Sequence, residues 1–369
     1  MSSGFPIPVS VLTGFLGAGK TTLLNRLLRD PALADTAVII NEFGEVAIDH
    51  LLVEQASDGI IQLSDGCLCC TVRGELVDTL ADLVDRLQTG RIARLARVII
   101  ETTGLADPAP VLQSIMAHPA LVQAFRLDGV ITLVDAVNGN ATLDAHVEAV
   151  KQVAVADRIV LTKADLATDP RDVGALRARL RQINPGAELL DVGDRRTDVA
   201  AALFDCGLYN PATKSADVRR WLGEKAAHDH HGDHDHGDHE HDHDHRHDSR
   251  VRSYSLVHEG PVPFSAIEMF FDLLRSAHGE RLLRMKGVIE LLEDPSRPLV
   301  VHGVQKILHP PARLPSWPDG QRGTRLVLIT LDMTEDYVRR LFAAVTSRPS
   351  IDTPDRAALE NNPLAIAGR

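Results

Sequence analysis

No segment constrains the fold of this chain more than Gly14-Phe15-Leu16-Gly17-Ala18-Gly19-Lys20-Thr21. It fits the pattern GxxxxGK followed by Ser or Thr, it comes directly after an apolar run, Val9 to Leu12, and it opens an amphipathic stretch, Lys20 to Arg29. That strand, loop and helix context is the one in which the pattern has a physical meaning. Glycines let the backbone curl so that successive N–H groups face phosphate oxygens, and the helix N-terminus adds partial positive charge. Lys20 is then placed to neutralise the β- and γ-phosphates, and the Thr21 hydroxyl to hold Mg2+.

The chain around this loop follows the same logic. Short β-branched runs at Ala37 to Asn41, Ile60 to Leu63, Val98 to Glu101, Val130 to Val134, Arg158 to Leu161 and Glu188 to Asp191 alternate with helical periodicities. The latter cover Gly74 to Leu87, Ala109 to Met116, Leu143 to Ala154 and Val173 to Gln182. Such alternation predicts an α/β fold with a mostly parallel sheet over residues 1–212. From Arg252 onward strands outnumber helices and connections are short: strands at Arg252 to Val257, Arg284 to Leu292, Leu299 to Val304 and Thr324 to Leu331, helices at Phe264 to Ala277 and Glu335 to Val345. A smaller α+β domain over 250–345 is expected, then a loose tail, 346–369.

Further chemistry gathers at strand ends. Thr162-Lys163-Ala164-Asp165 closes one apolar strand. A carboxylate at Asp165 can accept from both N1–H and the 2-amino group of guanine, which adenine cannot offer, so the segment favours GTP, with the Lys163 stem against the base. Glu101, ending another strand before Thr102-Thr103-Gly104, could reach Mg2+ through water or order an attacking water. Glu42 and Glu45, in Asn41-Glu42-Phe43-Gly44-Glu45, read equally well as a switch segment or as solvated carboxylates.

Gly66-Cys67-Leu68-Cys69-Cys70 holds three of the four cysteines within four residues. Thiolates suit soft or borderline metals, and zinc with three ligands from one short loop keeps a position open for transfer. A redox-reactive or merely buried cluster is the other reading. The four cysteines form no disulfide framework, which fits a reducing compartment. Between 228 and 247, ten histidines interleave with seven acidic residues and one arginine, leaving the tract at −6 of the chain's −12. No core forms there, so 213–249 is expected to be a flexible linker whose imidazoles could bind metal or simply be solvated. The acidic balance argues against a nucleic-acid or anionic-membrane partner. The N-terminus lacks a basic and an apolar signal region, and no apolar run reaches the roughly 18 residues of a membrane helix, so a cytoplasmic protein is expected.

Taken in order, Thr13 to Thr22, Asn41 to Gly44, Gly66 to Cys70, Glu101 to Gly104, Thr162 to Asp165, Leu283-Arg284-Met285-Lys286-Gly287 and Gly303-Val304-Gln305 resemble the CobW-type metallochaperone GTPases over residues 8 to about 345. The resemblance implies a P-loop G domain that hydrolyses GTP with Mg2+. It also implies zinc or cobalt held by Cys67, Cys69 and Cys70, and delivery of the metal to a client metalloprotein, with a homodimer as a further candidate assembly. On this reading Lys20, Thr21, Glu42 and Glu101 carry the catalysis, while Gly14 to Thr22, Thr162, Lys163 and Asp165 bind nucleotide. The family usually has Asn where Thr162 stands, a departure expected to weaken base positioning. Two other readings are a metal buffer built on the histidine tract and a small-substrate P-loop kinase; the second would leave the cysteines unexplained.

Overall fold

The apolar run before the glycine-rich loop becomes strand β1 (Ile7–Gly14), in which Val9, Val11 and Leu12 are fully buried. A computed structural model of the protein describes residues 6–41, 60–62, 71–191, 199–206, 250–317 and 320–346. Among these residues β1 is the middle strand of a seven-stranded sheet. The others are β2 (Thr36–Asn41), β3 (Ile60–Gln62), β4 (Arg97–Thr102), β5 (Phe125–Asp135), β6 (Arg158–Thr162) and β7 (Glu188–Asp191). Their order is β3-β2-β4-β1-β5-β6-β7, and each pair is parallel.

A parallel sheet must be covered on both faces, and alternation of side chains along β1 divides the work. Val9 and Val11 join Ile39, Ile100, Leu80 of α2 (Thr71–Gln88) and Leu112 of α3 (Ala109–Ala117). Leu12 faces the other way, with Val38, Ile99, Ile131 and Leu24 of α1 (Lys20–Leu27). A short α4 (Leu121–Ala124) leads into β5. The helix expected over Leu143 to Ala154 is two, α5 (Gly139–Ala145) and α6 (Val147–Ala154), because His146 at the junction adopts extended backbone, φ −134° and ψ 112°. The helices α7 (Pro170–Ile183) and α8 (Val199–Leu203) complete this half.

Parallel register brings the strand C-termini to one edge. Leu12 lies beside Glu101, Gly14 beside Leu133 and Asp135 beside Thr162. The chain passes from β4 on one side of β1 to β5 on the other, and the crevice at such a switch point is where open α/β sheets take ligands.

The second half is an antiparallel sheet in the order β11-β10-β9-β13-β8, with β12 paired to β10. Its elements are β8 (Val251–His258), α9 (Phe264–His278), β9 (Leu282–Ile289), β10 (Leu299–Val304), β11 (Ile307–Leu308), β12 (Ala312–Arg313), β13 (Thr324–Leu331) and α10 (Glu335–Thr346). Phe270 of α9 and Phe342 of α10 meet edge to face, centroids 5.1 Å apart, over Leu256, Met285 and Leu328.

The two halves are docked. Val304 enters the core formed by Leu112, Ile115 and Met116, while Val251, Leu283 and Ile329 pack with Val150, Leu176 and Leu180. Between these apolar contacts Asp157 accepts from Arg284 at 2.7 and 2.8 Å and pairs with Lys286 at 2.6 Å. The Val130 N–H donates to the same carboxylate at 2.9 Å, and Arg284 also donates to the Val155 carbonyl at 2.7 Å. Burial alone would raise the Asp157 carboxyl, but Arg284 and Lys286 hold it well below the ordinary carboxylate range.

Candidate functional site

A cleft of about 330 Å3 opens at the C-terminal edge of the first sheet. Leu16, Gly17, Gly19, Lys20, Thr21 and Thr22 form one wall, Glu101 to Gly104 another, and Lys163 closes the end. The loop can follow β1 so closely because residue 14 is glycine: φ is +142°, and a Cβ there would stand 2.5 Å from the Leu133 carbonyl oxygen. Within the loop the Ala18 N–H donates to the Phe15 carbonyl at 3.1 Å, and Lys20 Nζ donates to the carbonyls of Gly14 at 2.9 Å and Phe15 at 3.4 Å. The Phe15 ring stacks on His146, the residue between α5 and α6, centroids 4.4 Å apart. Phe15 and Ala18 face a second cavity, about 280 Å3, behind the loop.

Glu101 is 7% exposed. The next residue, Thr102, donates its hydroxyl to Thr13 Oγ1 at 2.8 Å, tying β4 to β1 just below the loop. Thr21 and Glu101 bring a hydroxyl and a carboxylate to one cleft, oxygen donors of the kind a hard cation such as Mg2+ takes.

The segment after β6 is bound to the loop by the residue that departs from the family pattern. Thr162 Oγ1 donates to the Ala18 carbonyl at 2.8 Å, with the Val134 carbonyl 3.3 Å away. Thr162 therefore braces the glycine-rich loop against β6. Lys163 follows in left-handed backbone, φ +57°, and its Nζ pairs with Asp135 at 2.8 Å. Burial pushes the Asp135 carboxyl upward, but the Lys163 ammonium, the Asn138 amide and the N–H groups of Val137 and Asn138 outweigh it and hold the group below its usual value. Asp165 is exposed and does not line the cleft. Asp135 escaped the sequence reading, although a carboxylate ending the apolar run Val130 to Val134 was a visible signal. Gln152 escaped it too: buried to 1% exposure, it donates to the carbonyls of Gly104 at 3.1 Å and Ala106 at 3.0 Å.

Glu42, Glu45, the cysteines Cys67, Cys69 and Cys70, and the histidine tract 228–247 lie outside the described residues. Among the described residues no cluster of three or more His, Cys, Asp or Glu could hold a metal ion, and no helix is long and apolar enough to cross a membrane.

Comparison with known proteins adds the decisive observation. The profile of the CobW/HypB/UreG nucleotide-binding domain matches residues 8–191, and that of the cobalamin synthesis protein cobW C-terminal domain matches residues 251–346. The chain belongs to the CobW/HypB/UreG family. It is a P-loop GTPase carrying the CobW-type second domain. It is 35% identical to the zinc chaperone YjiA of Escherichia coli (strain K12) over 342 residues, 92% of this chain and 99% of that one. It is 33% identical to the zinc chaperone CobW of Sinorhizobium sp over 372 residues, 92% and 97% of the two chains. The crystal structure of Zn(II)-bound YjiA GTPase from E. coli superposes with a TM-score of 0.65 at 30% identity, covering 92% of this chain and 99% of that one.

Proposed function

We propose that this GTPase is a metallochaperone: it takes zinc as cargo on Cys67, Cys69 and Cys70 and passes it to a client metalloprotein in a cycle timed by GTP hydrolysis. The observation that carries the reading is full-length similarity to proteins named zinc chaperones, joined to a thiolate motif that leaves a coordination position open. Cobalt is the alternative cargo. The motif begins five residues after Gln62, where β3 ends at the same sheet edge as the nucleotide cleft.

The chemistry asked of the chain's own residues is positioning and charge. The loop N–H groups would hold the β- and γ-phosphates, and the Lys20 ammonium would take the charge that moves onto the leaving β-phosphate as water adds to phosphorus and the P–O bond breaks, giving GDP and phosphate. Asp165 would select guanine, and Glu42 would sense the γ-phosphate. Thr21 and Glu101 would hold Mg2+, directly or through water; when bound, the ion neutralises phosphate charge. Lys20→Ala should abolish turnover while wild-type protein hydrolyses GTP; a variant as fast as wild type would remove the assignment of the cleft.

Coupling between nucleotide and metal is tested by titrating zinc against a competing chelator with GDP or a non-hydrolysable GTP analogue. Coupling of the usual size gives about a 5- to 150-fold difference in zinc affinity, with the reciprocal effect on nucleotide. The difference should vanish when all three cysteines are changed to serine. Equal affinities in both nucleotide states would refute the chaperone cycle. Ten histidines in twenty residues favour a second reading, a metal store. Deleting 228–247 separates the two, because a store loses most of its bound metal whereas a chaperone keeps one tight, nucleotide-dependent site.

A further inference from the structure

Two motifs of the second domain, Leu283 to Gly287 and Gly303 to Gln305, have no part in the scheme above. The first supplies Arg284 and Lys286 to Asp157, so its place at the domain junction is accounted for. The second ends in Gln305, at the turn between β10 and β11, with φ +52°. A tight hairpin turn with positive φ is more easily made by glycine or asparagine. A long side chain kept at such a position points to a task for that side chain.

Its contacts lead to the nucleotide cleft. Gln305 Nε2 donates to Asp107 Oδ2 at 3.3 Å, and its Oε1 accepts from Gln113 Nε2 at 3.0 Å. Asp107 Oδ2 also receives Lys151 Nζ at 3.0 Å, while Oδ1 accepts the Ala109 N–H at 2.9 Å at the start of α3. Just before Asp107 the chain is held by Gln152, whose two amide hydrogens go to Gly104 and Ala106. Gly104 in turn presses on the phosphate loop: a Cβ there would lie 2.6 Å from the Leu16 nitrogen. Thr103 and Gly104 are cleft wall, adjacent to Glu101.

We infer that Gln305 of the second domain is a positioning residue of the GTPase site, fixing through Asp107 the segment Thr103–Asp107 that sets Glu101 and the phosphate loop against each other. The inference rests on the assignment of the cleft to GTP hydrolysis. Through this contact the C-terminal domain tunes the chemical step without touching nucleotide.

Steady-state GTP hydrolysis by the full-length chain, with thermal melting alongside, tests it. Gln305→Glu keeps the length and the acceptor for Gln113 but turns a carboxylate toward Asp107. It should lower kcat about 2- to 30-fold with KM for GTP little changed. Combining Gln305→Glu with Asp107→Asn restores a donor and an acceptor with the polarity reversed and the net charge kept, the carboxylate introduced at position 305 replacing Asp107 Oδ2 as the acceptor for the Lys151 ammonium, and should recover most of kcat. A purely structural role would instead lower the melting temperature without this split and without rescue. Full activity in Gln305→Glu, or a loss that the double variant fails to relieve, would overturn the role of Gln305 alone. No hydrolysis by the wild-type chain would overturn the underlying assignment with it.

Discussion

Thr162 illustrates how much one hydroxyl can do at a motif position. Its bond to the Ala18 carbonyl crosses 144 residues of sequence and joins the segment expected to read the base to the loop expected to hold the phosphates. Thr162→Ala leaves that carbonyl without its donor, and a net hydrogen-bond loss of about 1 kcal/mol corresponds to roughly 5-fold weaker binding of a GTP analogue. Thr162→Ser should bind as wild type does. Equal affinity of the alanine variant, measured by titration of a fluorescent analogue, would show that the brace carries no energy for binding. Lys20, Thr21, Glu101 and Lys163 could be found in the sequence because the chemistry fixes their offsets from a strand end. Asp135 and Gln152 act on partners 28 and 48 residues away, separations that follow from strand order and that no local pattern encodes.

Elements were legible where periodicity decides them and illegible where a tertiary contact does. The seven parallel strands follow from β-branched runs between helical stretches. The break at His146 does not: the pattern from Leu143 to Ala154 is continuous, and the residue between the two helices has extended backbone and a ring stacked on Phe15 of a distant loop. His309 likewise lacks any local partner spacing, yet lies edge-on to His302 across the β10 and β11 hairpin, centroids 4.5 Å apart. The close approach of the segment after β4 to the glycine-rich loop is of this kind as well. Gly104→Ala would set a Cβ 2.6 Å from the Leu16 nitrogen and 2.8 Å from its Cα, backbone atoms that can yield only by moving the loop. Overpacking of this sort costs about 1–3 kcal/mol, so a drop in melting temperature and roughly tenfold weaker GTP-analogue binding are expected together. Gly174→Ala, in the exposed interior of α7 with nothing within 4 Å, is the contrasting case and should stabilise by about 0.5–1 kcal/mol. Identical behaviour of the two variants in melting and titration would contradict the close-contact argument.

At the scale of the whole molecule, the sequence revealed two sheets of different kinds and left their docking unseen. A buried ion cluster has no periodicity, and Asp157 is separated from Arg284 by 127 residues. The cluster nonetheless links the two halves, because one carboxylate, 5% exposed, answers both Arg284 and Lys286. Asp157→Asn keeps the shape and an acceptor for the Val130 N–H but removes the negative charge that Arg284 and Lys286 share. Removing one partner of a buried pair costs about 3–5 kcal/mol, which should appear as a large fall in melting temperature at neutral pH. The pH dependence gives a sharper test. Because the folded carboxyl is held below its unfolded value, its contribution is complete above the ordinary carboxylate range and is lost as pH falls through that range toward the folded value. From about pH 5 downward, where Lys286 stays protonated, the gap between wild type and Asp157→Asn should therefore hold its size at first and narrow progressively below about pH 4. A gap of the same size down to about pH 3 would mean that the variant is destabilised by lost packing, and that the charge on Asp157 does not hold the domains together.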